Sequence, residues 1–455
     1  MNGMSPAERR ATASLASLFA LRMLGLFMIM PVFALYAHQL SGATPALIGL
    51  AIGVYGLTQA VFQIPLGLLA DRMDRKRLIF QGLVLFAAGG AIAAMSSSIL
   101  GVIIGRAVQG AGAISAIVMA LLADLTREEH RTKAMASIGL SIGLSFAVAF
   151  VIGPFVAAHT GLHGLFWATS VLALIGMVLL ARVPQPAVVI RQNRGHWWEQ
   201  FRACLVHPEL ARLNAGIFML HLVMTAGFVL MPHLLQDYAH LPAAHHGWVY
   251  LPVVLGGFVL SVPFIIIAEK KRQMKVVFSA GIAWLALSLC VIGEYYRTVT
   301  GLITGLALFF IAFNLLEALL PSLLSKIAPA GSKATAMGIY SSSQFLGAFC
   351  GGVMGGLLIT RLPVEPIYDL LAGIVLVWLL LALTMRPPRY LHSLMMSLEK
   401  TGIDDAALVA QRLQHIPGVE EAVVIPDEGV AYLKVDKTRL DTRQLEDFVP
   451  RLVAV

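Results

Sequence analysis

The chain has 455 residues, of which 58% are hydrophobic and 13% are charged, and its formal charge is +8 at pH 7. A chain this apolar does not fold as a set of soluble domains, so its composition predicts a membrane protein. The positive charge would suit nucleic acid, but the basic residues lie mainly in connections between apolar stretches, which excludes that class. No phosphate-binding Gly-x-x-x-x-Gly-Lys-Ser/Thr loop and no catalytic constellation occurs, so we do not expect an enzyme.

Apolar stretches follow one another through the first 385 residues, each long enough to cross a bilayer as a helix, which takes about 20 residues. We predict twelve spans, at approximately 13–38, 46–70, 78–96, 99–122, 134–157, 164–183, 210–235, 247–268, 276–296, 299–324, 334–360 and 366–386. A polar link at 184–209 separates an N-terminal half (1–183) from a C-terminal half (210–386). Its aromatic and basic residues favour a helix at the lipid headgroups, with a lipid or partner site as the alternative.

Basic residues are distributed unevenly over the two sides of these spans. Residues 1–385 contain 24 Lys and Arg, and 20 of them fall in alternate connections. Arg297 and Arg361 lie in the opposite connections, whereas Arg22 and Arg106 lie within spans. By the positive-inside rule, this asymmetry predicts a multi-pass protein of the bacterial inner membrane with both termini in the cytoplasm.

The two halves resemble each other in sequence. Residues 63–72 can be laid over 261–270, which places the acidic residue of each segment, Asp71 and Glu269, at matching positions. Two six-helix halves in parallel repeat, with a substrate site between them near the midplane, are typical of a transporter.

After Met385 the composition changes, and the segment 386–455 carries 9 basic and 11 acidic residues. Its pattern predicts a β-α-β-β-α order. The elements are a strand at 390–398, a helix with Val409, Leu413 and Ile416 on one face, strands at 419–425 and 430–435, and a helix at 445–452. We therefore expect a small α+β ferredoxin-like domain at 387–455. It is similar to the heavy-metal-associated domains, although residues 397–402 lack their Cys-x-x-Cys loop.

A motif of small, acidic and basic residues ends the second span. It matches the pattern Gly-x-Leu-Ala-Asp-Arg-x-Gly-Arg-Lys at Gly67, Leu69, Ala70, Asp71, Arg72, Arg75 and Lys76. Asp74 stands where this pattern has its second glycine. Two further segments match family motifs, Arg106-Ala-Val-Gln109-Gly110 in the fourth span and Gly153-Pro154, an antiporter-like motif with alanines at the flanking glycine positions.

On these motifs, residues 1–385 resemble the major facilitator superfamily of secondary transporters. With the appended domain, the whole chain resembles the YajR-type transporters, which are proton-driven efflux proteins. The resemblance implies an all-α membrane protein of twelve transmembrane helices in two six-helix halves.

The motif loop is a candidate conformational lock, because acidic residues end the second and fourth spans beside a basic cluster. Arg72 or Arg75 could pair with Asp71 or Asp124 when the cavity opens outward, and these pairs must break when the halves rock. The alternative is that the charges only anchor the topology. The candidate lock residues are Gly67, Asp71, Arg72, Arg75, Lys76 and Asp124.

Polar residues inside spans are candidates for a proton or substrate cavity, because each is costly in lipid unless it is compensated. They are Arg22, Tyr55, Gln59, Gln63, Arg106, Gln109, His221, Asn314, Glu317 and Gln344. Glu317 is a candidate proton carrier, with Asn314 one turn away. The alternatives are structural: arginines bonded to carbonyls, a satisfied acid, a packing histidine and glutamines that join helices.

No metal site is predicted. The three cysteines form no ligand pair, and we expect the outer histidines to be solvated loop residues. These histidines are His38, His159, His163, His233, His240, His245 and His246.

Together these observations predict proton-coupled efflux of drug-like or amphiphilic small molecules, with no cofactor beyond the proton gradient. The expected partners are the lipid bilayer, the substrate and protons, but no nucleic acid. Proton-coupled uptake of a small polar solute is one alternative, and a non-transporting membrane sensor is another. The acidic C-terminal domain is expected to dock on basic loops of the same chain, including 182–212 and 269–275, and a tethered domain that makes no contact is the alternative.

Overall fold

The computed structural model describes residues 4–70, 73–185, 197–329, 332–387, 392–398, 406–425, 429–436 and 439–446. The helices of the membrane part are α1 (Pro6–Phe27), α2 (Phe33–Tyr36), α3 (Pro45–Leu69), α4 (Arg75–Met95), α5 (Ile99–Ala111), α6 (Ser115–Asp124), α7 (Glu128–Ala181), α8 (Trp197–Val206), α9 (Pro208–Asp237), α10 (His246–Lys270), α11 (Met274–Tyr295), α12 (Val299–Ile327), α13 (Lys333–Leu358) and α14 (Val364–Leu383). The C-terminal elements are β1 (His392–Ser397), α15 (Ala406–Gln414), β2 (Val419–Ile425), β3 (Val430–Val435) and α16 (Thr442–Glu446).

Within these ranges, 10 helical segments are long and apolar enough to cross a membrane. One of them, Lys133–Ala181, has 49 residues and breaks at Gly161, whose φ is 63°, so it makes two crossings. Helix α13 runs beside α3 and α9 and adds a further crossing, although its serines and glutamine make it more polar. The described helices thus make the twelve predicted crossings.

The first crossing differs from its predicted bounds of 13–38. Helix α1 already begins at Pro6, because Ser5 and Glu8 form a capping box: each side chain bonds the other residue's backbone N–H. It ends at Phe27, and α2 forms a separate short helix after a turn. The link between the halves contains α8, so its predicted helix is present; residues 186–196 lie outside the described residues.

The two halves repeat their contacts at one end of the bundle. Lys76 Nζ donates to the Val183 carbonyl at 2.6 Å, and Lys275 Nζ donates to the Leu383 carbonyl at 2.9 Å. In each half, a lysine near the start of the third crossing therefore holds the end of the sixth crossing. We call the end of the bundle that carries these two lysines the basic end, and the opposite end the far end.

The halves meet through glycines of α3 and α13. A side chain at Gly49 would overlap the backbone of Gly352 and Gly356, and one at Gly53 would overlap that of Phe349. Small residues let two backbones approach this closely. Toward the basic end, a Cβ at Gly338 would meet open space. The halves are therefore in close contact toward the far end, and this close packing does not extend to Gly338.

Substituting Gly49 by leucine should prevent the far end from closing, because overpacking a tight contact costs about 1–3 kcal/mol. In a cysteine-free background, we expect a cysteine at Phe228, which is 3% exposed, to react with an aqueous thiol reagent about tenfold faster. Gly256→Leu is the matched control, because a Cβ there meets nothing within 4 Å. Equal labelling rates in both variants would contradict the role of this contact.

The C-terminal domain contains an antiparallel sheet with strand order β1-β3-β2. Helix α15 packs on β2, and Leu413, Leu433 and Val435 are fully buried in the core. Both strands of the predicted hairpin have the predicted bounds. The last predicted helix appears as α16 at 442–446, and residues 447–452 lie outside the described residues.

Candidate functional site

Arg22 lies in the interior of the first half and is 1% exposed. Its guanidinium donates to Ser115 Oγ at 3.0 Å, Tyr55 Oη at 3.0 Å, Gln59 Oε1 at 2.8 Å and the Gly112 carbonyl at 3.1 Å. The last carbonyl is available because the fourth crossing breaks between α5 and α6 at this glycine. All four partners are neutral, so hydrogen bonds solvate the positive charge without cancelling it.

Arg106 lies on the other side of Tyr55, and its guanidinium carbon is 4.9 Å from the tyrosine ring centroid. It donates to Gln109 Oε1 at 3.1 Å, and Gln109 in turn donates to Thr169 Oγ1 at 3.0 Å. Tyr55 therefore separates two buried arginines, with its hydroxyl bonded to Arg22 and its ring facing Arg106.

The polar stripe predicted on the second crossing is continuous in the structure. Gln59 accepts from Arg22, and its Nε2 donates to Gln63 Oε1 at 2.8 Å. The first half thus brings six predicted cavity residues into one network: Arg22, Tyr55, Gln59, Gln63, Arg106 and Gln109. Ser115 and Thr169 also belong to it; sequence analysis missed them because small hydroxyl residues are common in membrane helices.

In the second half, three helices bring Glu317, His221 and Gln344 together. Gln344 Nε2 lies 3.1 Å from Glu317 Oε1 and 2.9 Å from His221 Nε2, so it can donate to both. The His221 ring nitrogen is 3.9 Å from the other carboxylate oxygen. Asn314, one turn before Glu317 on α12, donates its amide N–H to the Phe310 carbonyl at 2.8 Å.

The Glu317 side chain remains 38% exposed even though it lies in the interior of α12. Its Oε2 has no hydrogen-bond partner within the described ranges, and neither has the buried Tyr340 hydroxyl. The unpaired oxygen is itself buried, so a proton on it would replace the missing hydrogen-bond partner. Tyr340 was not predicted as a site residue.

Aromatic side chains of both halves meet beside the acid–histidine pair. Phe146 of α7 lies 6.1 Å from Phe310 and 6.2 Å from Phe313 of α12, measured between ring centroids. Phe313 also lies 5.8 Å from the His221 ring. The interior thus combines buried arginines, an acid–histidine pair and a buried aromatic cluster.

The motif loop forms an ion pair in the first half. Arg75, at the start of α4, pairs with Asp124, at the end of α6, and it also donates to the Ala120 carbonyl at 3.2 Å. Both elements belong to the same half, so this pair fixes the ends of crossings within that half. Asp71 and Arg72 lie outside the described residues, and their part in the lock stays a prediction.

Asp74, which replaces a motif glycine, caps α4. Its carboxylate accepts from the backbone N–H groups of Lys76 at 2.8 Å and Arg77 at 3.2 Å, and its φ of −61° needs no glycine. A Cβ at Gly67 would lie at ordinary contact distance from the Ala116 side chain. In the antiporter-like motif, Gly153 precedes Pro154 and packs directly against the Met28 backbone.

The second half has its own charge cluster at the basic end. Glu269, at the end of α10, accepts from Lys326 Nζ at 2.7 Å and from Ser322 Oγ at 2.7 Å. This pair joins the ends of the second and fourth crossings of its half, whereas Arg75 and Asp124 join the start of the third crossing to the end of the fourth.

The C-terminal domain contacts the same helix end. Lys434 of β3 is 5% exposed, and its Nζ donates to the carbonyl oxygens of Lys326 at 3.1 Å and Ile327 at 3.5 Å. Burial lowers the pKa of Lys434, whereas the Glu421 carboxylate, 3.6 Å away, acts to raise it. An amino group is favourable at the carbonyl end of a helix.

A bundle of two six-helix halves with polar networks buried on both sides of a central space defines a membrane transporter of the facilitator type. The chain belongs to the major facilitator superfamily, whose family model matches residues 15–330. A second model, the YajR YAM domain, matches residues 394–450.

Individual relatives agree with this assignment. The chain is 47% identical to the inner membrane transport protein YajR of Escherichia coli K12, over 98% of both chains. It is 25% identical to the quinolone resistance protein NorA of Staphylococcus aureus, over 78% of this chain and 92% of that protein. Among solved structures, a point mutant of the nucleoside transporter NupG matches with a TM-score of 0.66 at 15% identity, over 82% of this chain and 99% of that one, which supports the fold alone.

These comparisons confirm the predicted superfamily, the YajR-type organisation and the fold class. The chain is a multi-pass inner membrane transporter and not an enzyme.

Proposed function

We propose that this transporter exports amphiphilic or drug-like small molecules in exchange for protons, with its basic end in the cytoplasm. The observation that carries the proposal is Glu317, a partly exposed carboxylate inside the bundle with one unpaired oxygen beside His221 and Gln344. An intramembrane acid of this kind marks an ion or proton pathway in many transporters.

The coupling follows from the two protonation states of this carboxyl. Gln344 can donate to the charged carboxylate, and protonation removes the negative charge that a cationic or polar substrate would contact. A proton taken up from the far end and a substrate taken up from the basic end would then compete for one group. Such competition produces exchange in opposite directions.

The aromatic cluster supports the proposed substrate class. Phe146, Phe310 and Phe313 form a buried apolar cluster that reaches the ring of His221, and apolar groups beside polar ones suit a molecule with both apolar and polar parts. Distant relatives named as a quinolone resistance protein and as the multidrug resistance protein MdtH are compatible with this class.

Proteoliposomes with an internal pH dye would test the proposal. Adding a fluoroquinolone or a fluorescent lipophilic cation should move protons opposite to the substrate, in protein-dependent fashion. Proton movement in the same direction as a small polar solute would support uptake instead. If the internal pH is the same with and without each compound tested, the result would support a membrane sensor that does not transport.

We further propose that the C-terminal domain regulates the transport rate by docking on the second half. Lys434 binds the end of α12, and the Lys326 side chain at this end pairs with Glu269. A domain that docks better in one state of the bundle shifts the equilibrium by its difference in affinity for the two states.

Lys434→Ala should therefore change the transport rate several-fold without abolishing transport, and deletion of residues 390–455 should have the same effect. The control is Arg412→Ala, which removes an exposed basic residue of α15. Initial rates in proteoliposomes would measure the change. Complete loss of transport in a folded deletion variant would instead assign the domain to the transport pathway.

A further inference from the structure

Two histidines from different halves meet at the far end. His38 lies in a short turn after α2 in the first half, and His233 lies near the end of α9 in the second half. Their Nε2 atoms are 3.3 Å apart, and the ring planes form an angle of 80°. The sequence predicts solvated loop residues at both positions, but the pair bridges the two halves.

The hydrogen bonds of His233 determine which ring nitrogen is available. Its Nδ1 lies 3.3 Å from the Val229 carbonyl, which can only accept, so Nδ1 carries the proton. In the neutral ring, Nε2 then presents its lone pair toward His38. Metal-binding histidines are held in the same way, with the second ring nitrogen donating to a carbonyl or carboxylate.

The separation of the two nitrogens suits one metal ion. Zinc lies about 2.0–2.1 Å from each imidazole nitrogen, so two such ligands at the tetrahedral angle are about 3.3–3.4 Å apart. The rings point nearly head to head, with centroids 5.5 Å apart, as in a hydrogen bond between them. To bind one tetrahedral ion, each ring must turn by about 35° so that both lone pairs converge on it. The exposed His38 side chain has room for that rotation.

A third ligand is one helical turn away. Asp237 follows His233 at i+4 on α9 and is exposed, so it lies on the same face of the helix as His233 and is the candidate third ligand. The described residues contain no preformed group of three or more potential ligands. The preformed part of the site is thus the histidine pair, to be completed by Asp237 or water.

We propose that His38 and His233 form a binding site for a divalent transition metal ion of the zinc type, which holds the far end closed. The two ligands come from different halves, so the ion binds well only when these halves are together. By linkage, binding then favours the closed far end and inhibits any cycle that must open it. The inference depends neither on the substrate nor on the coupling ion.

The test uses the full-length protein in a cysteine-free background with a single unlabelled cysteine at Phe228, which lies between the halves. Zinc at ten times its dissociation constant should slow thiol labelling about tenfold, if opening of the far end limits the reaction. Calorimetry with zinc alone should give one site. His38→Ala and His233→Ala should each remove both effects, whereas His159→Ala, an exposed far-end control, should keep them.

A second readout separates ligation from a general effect of zinc. Copper(II) bound to the protein should give an electron paramagnetic resonance spectrum with two nitrogen ligands, and His38→Ala should reduce that number by one. Zinc inhibition of labelling that persists in His38→Ala would overturn the proposal. So would zinc binding that leaves the labelling rate unchanged, or the absence of zinc binding.

Discussion

Replacing Glu317 by glutamine should abolish gradient-driven transport. The amide keeps the size and can still bond Gln344, but it cannot take up or release a proton at neutral pH. We expect substrate accumulation driven by a pH gradient to fall to the level of protein-free vesicles. Exchange of labelled for unlabelled substrate without a gradient should continue, because binding and rocking do not require that proton.

Two controls make this result specific. Glu294→Gln neutralises an exposed acid of α11 and should leave gradient-driven transport at the normal rate. Glu317→Asp keeps an ionisable carboxyl and should retain part of the coupling. If Glu317→Gln accumulates substrate at the normal rate, another group couples transport to the gradient and Glu317 is structural.

Reversing one charge of the Arg75–Asp124 pair should strongly destabilise the first half. The two side chains are 11% and 16% exposed, and breaking a buried pair costs about 3–5 kcal/mol because the remaining charge stays desolvated. We therefore expect Asp124→Arg and Arg75→Asp each to lower the melting temperature of the purified protein and to reduce transport. The double exchange should restore part of both.

Arg297→Asp provides the comparison, because Arg297 also pairs with an acid, Glu365, but is 70% exposed. An exposed pair contributes about 0–1 kcal/mol, so this reversal should have little effect on melting. If reversal lowers the melting temperature equally for both pairs, or if the double exchange does not restore it, the Arg75–Asp124 pair is not a specific interaction.

The crossings and the polar residues within them could be predicted because each is recognisable from a short stretch of sequence. A run of about 20 apolar residues identifies a crossing, and a charge within it stands out one residue at a time. The C-terminal hairpin was equally visible, since its strands alternate around a short turn. The signals that failed were those set by contacts between distant segments.

The Arg22 network shows why partners were harder to predict. Ser115 contributes through a hydroxyl that many membrane helices carry, and Gly112 contributes a carbonyl that a break in the helix makes available. His38 and His233 are 195 residues apart in sequence, so only the packed halves bring them together. The sequence shows that Asp74 departs from the family pattern. Its role as a helix cap, however, follows only from where α4 begins.

The position of Lys434 has a consequence for following the transport cycle. Since this residue binds the end of α12, the C-terminal domain is attached at the basic end to the half that also carries Glu317. When the halves rock, a domain attached in this way moves with the second half and changes its distance from the first. A fluorophore on the domain, paired with one on the first half, would therefore report the rocking of the halves as a change in the distance between the two fluorophores.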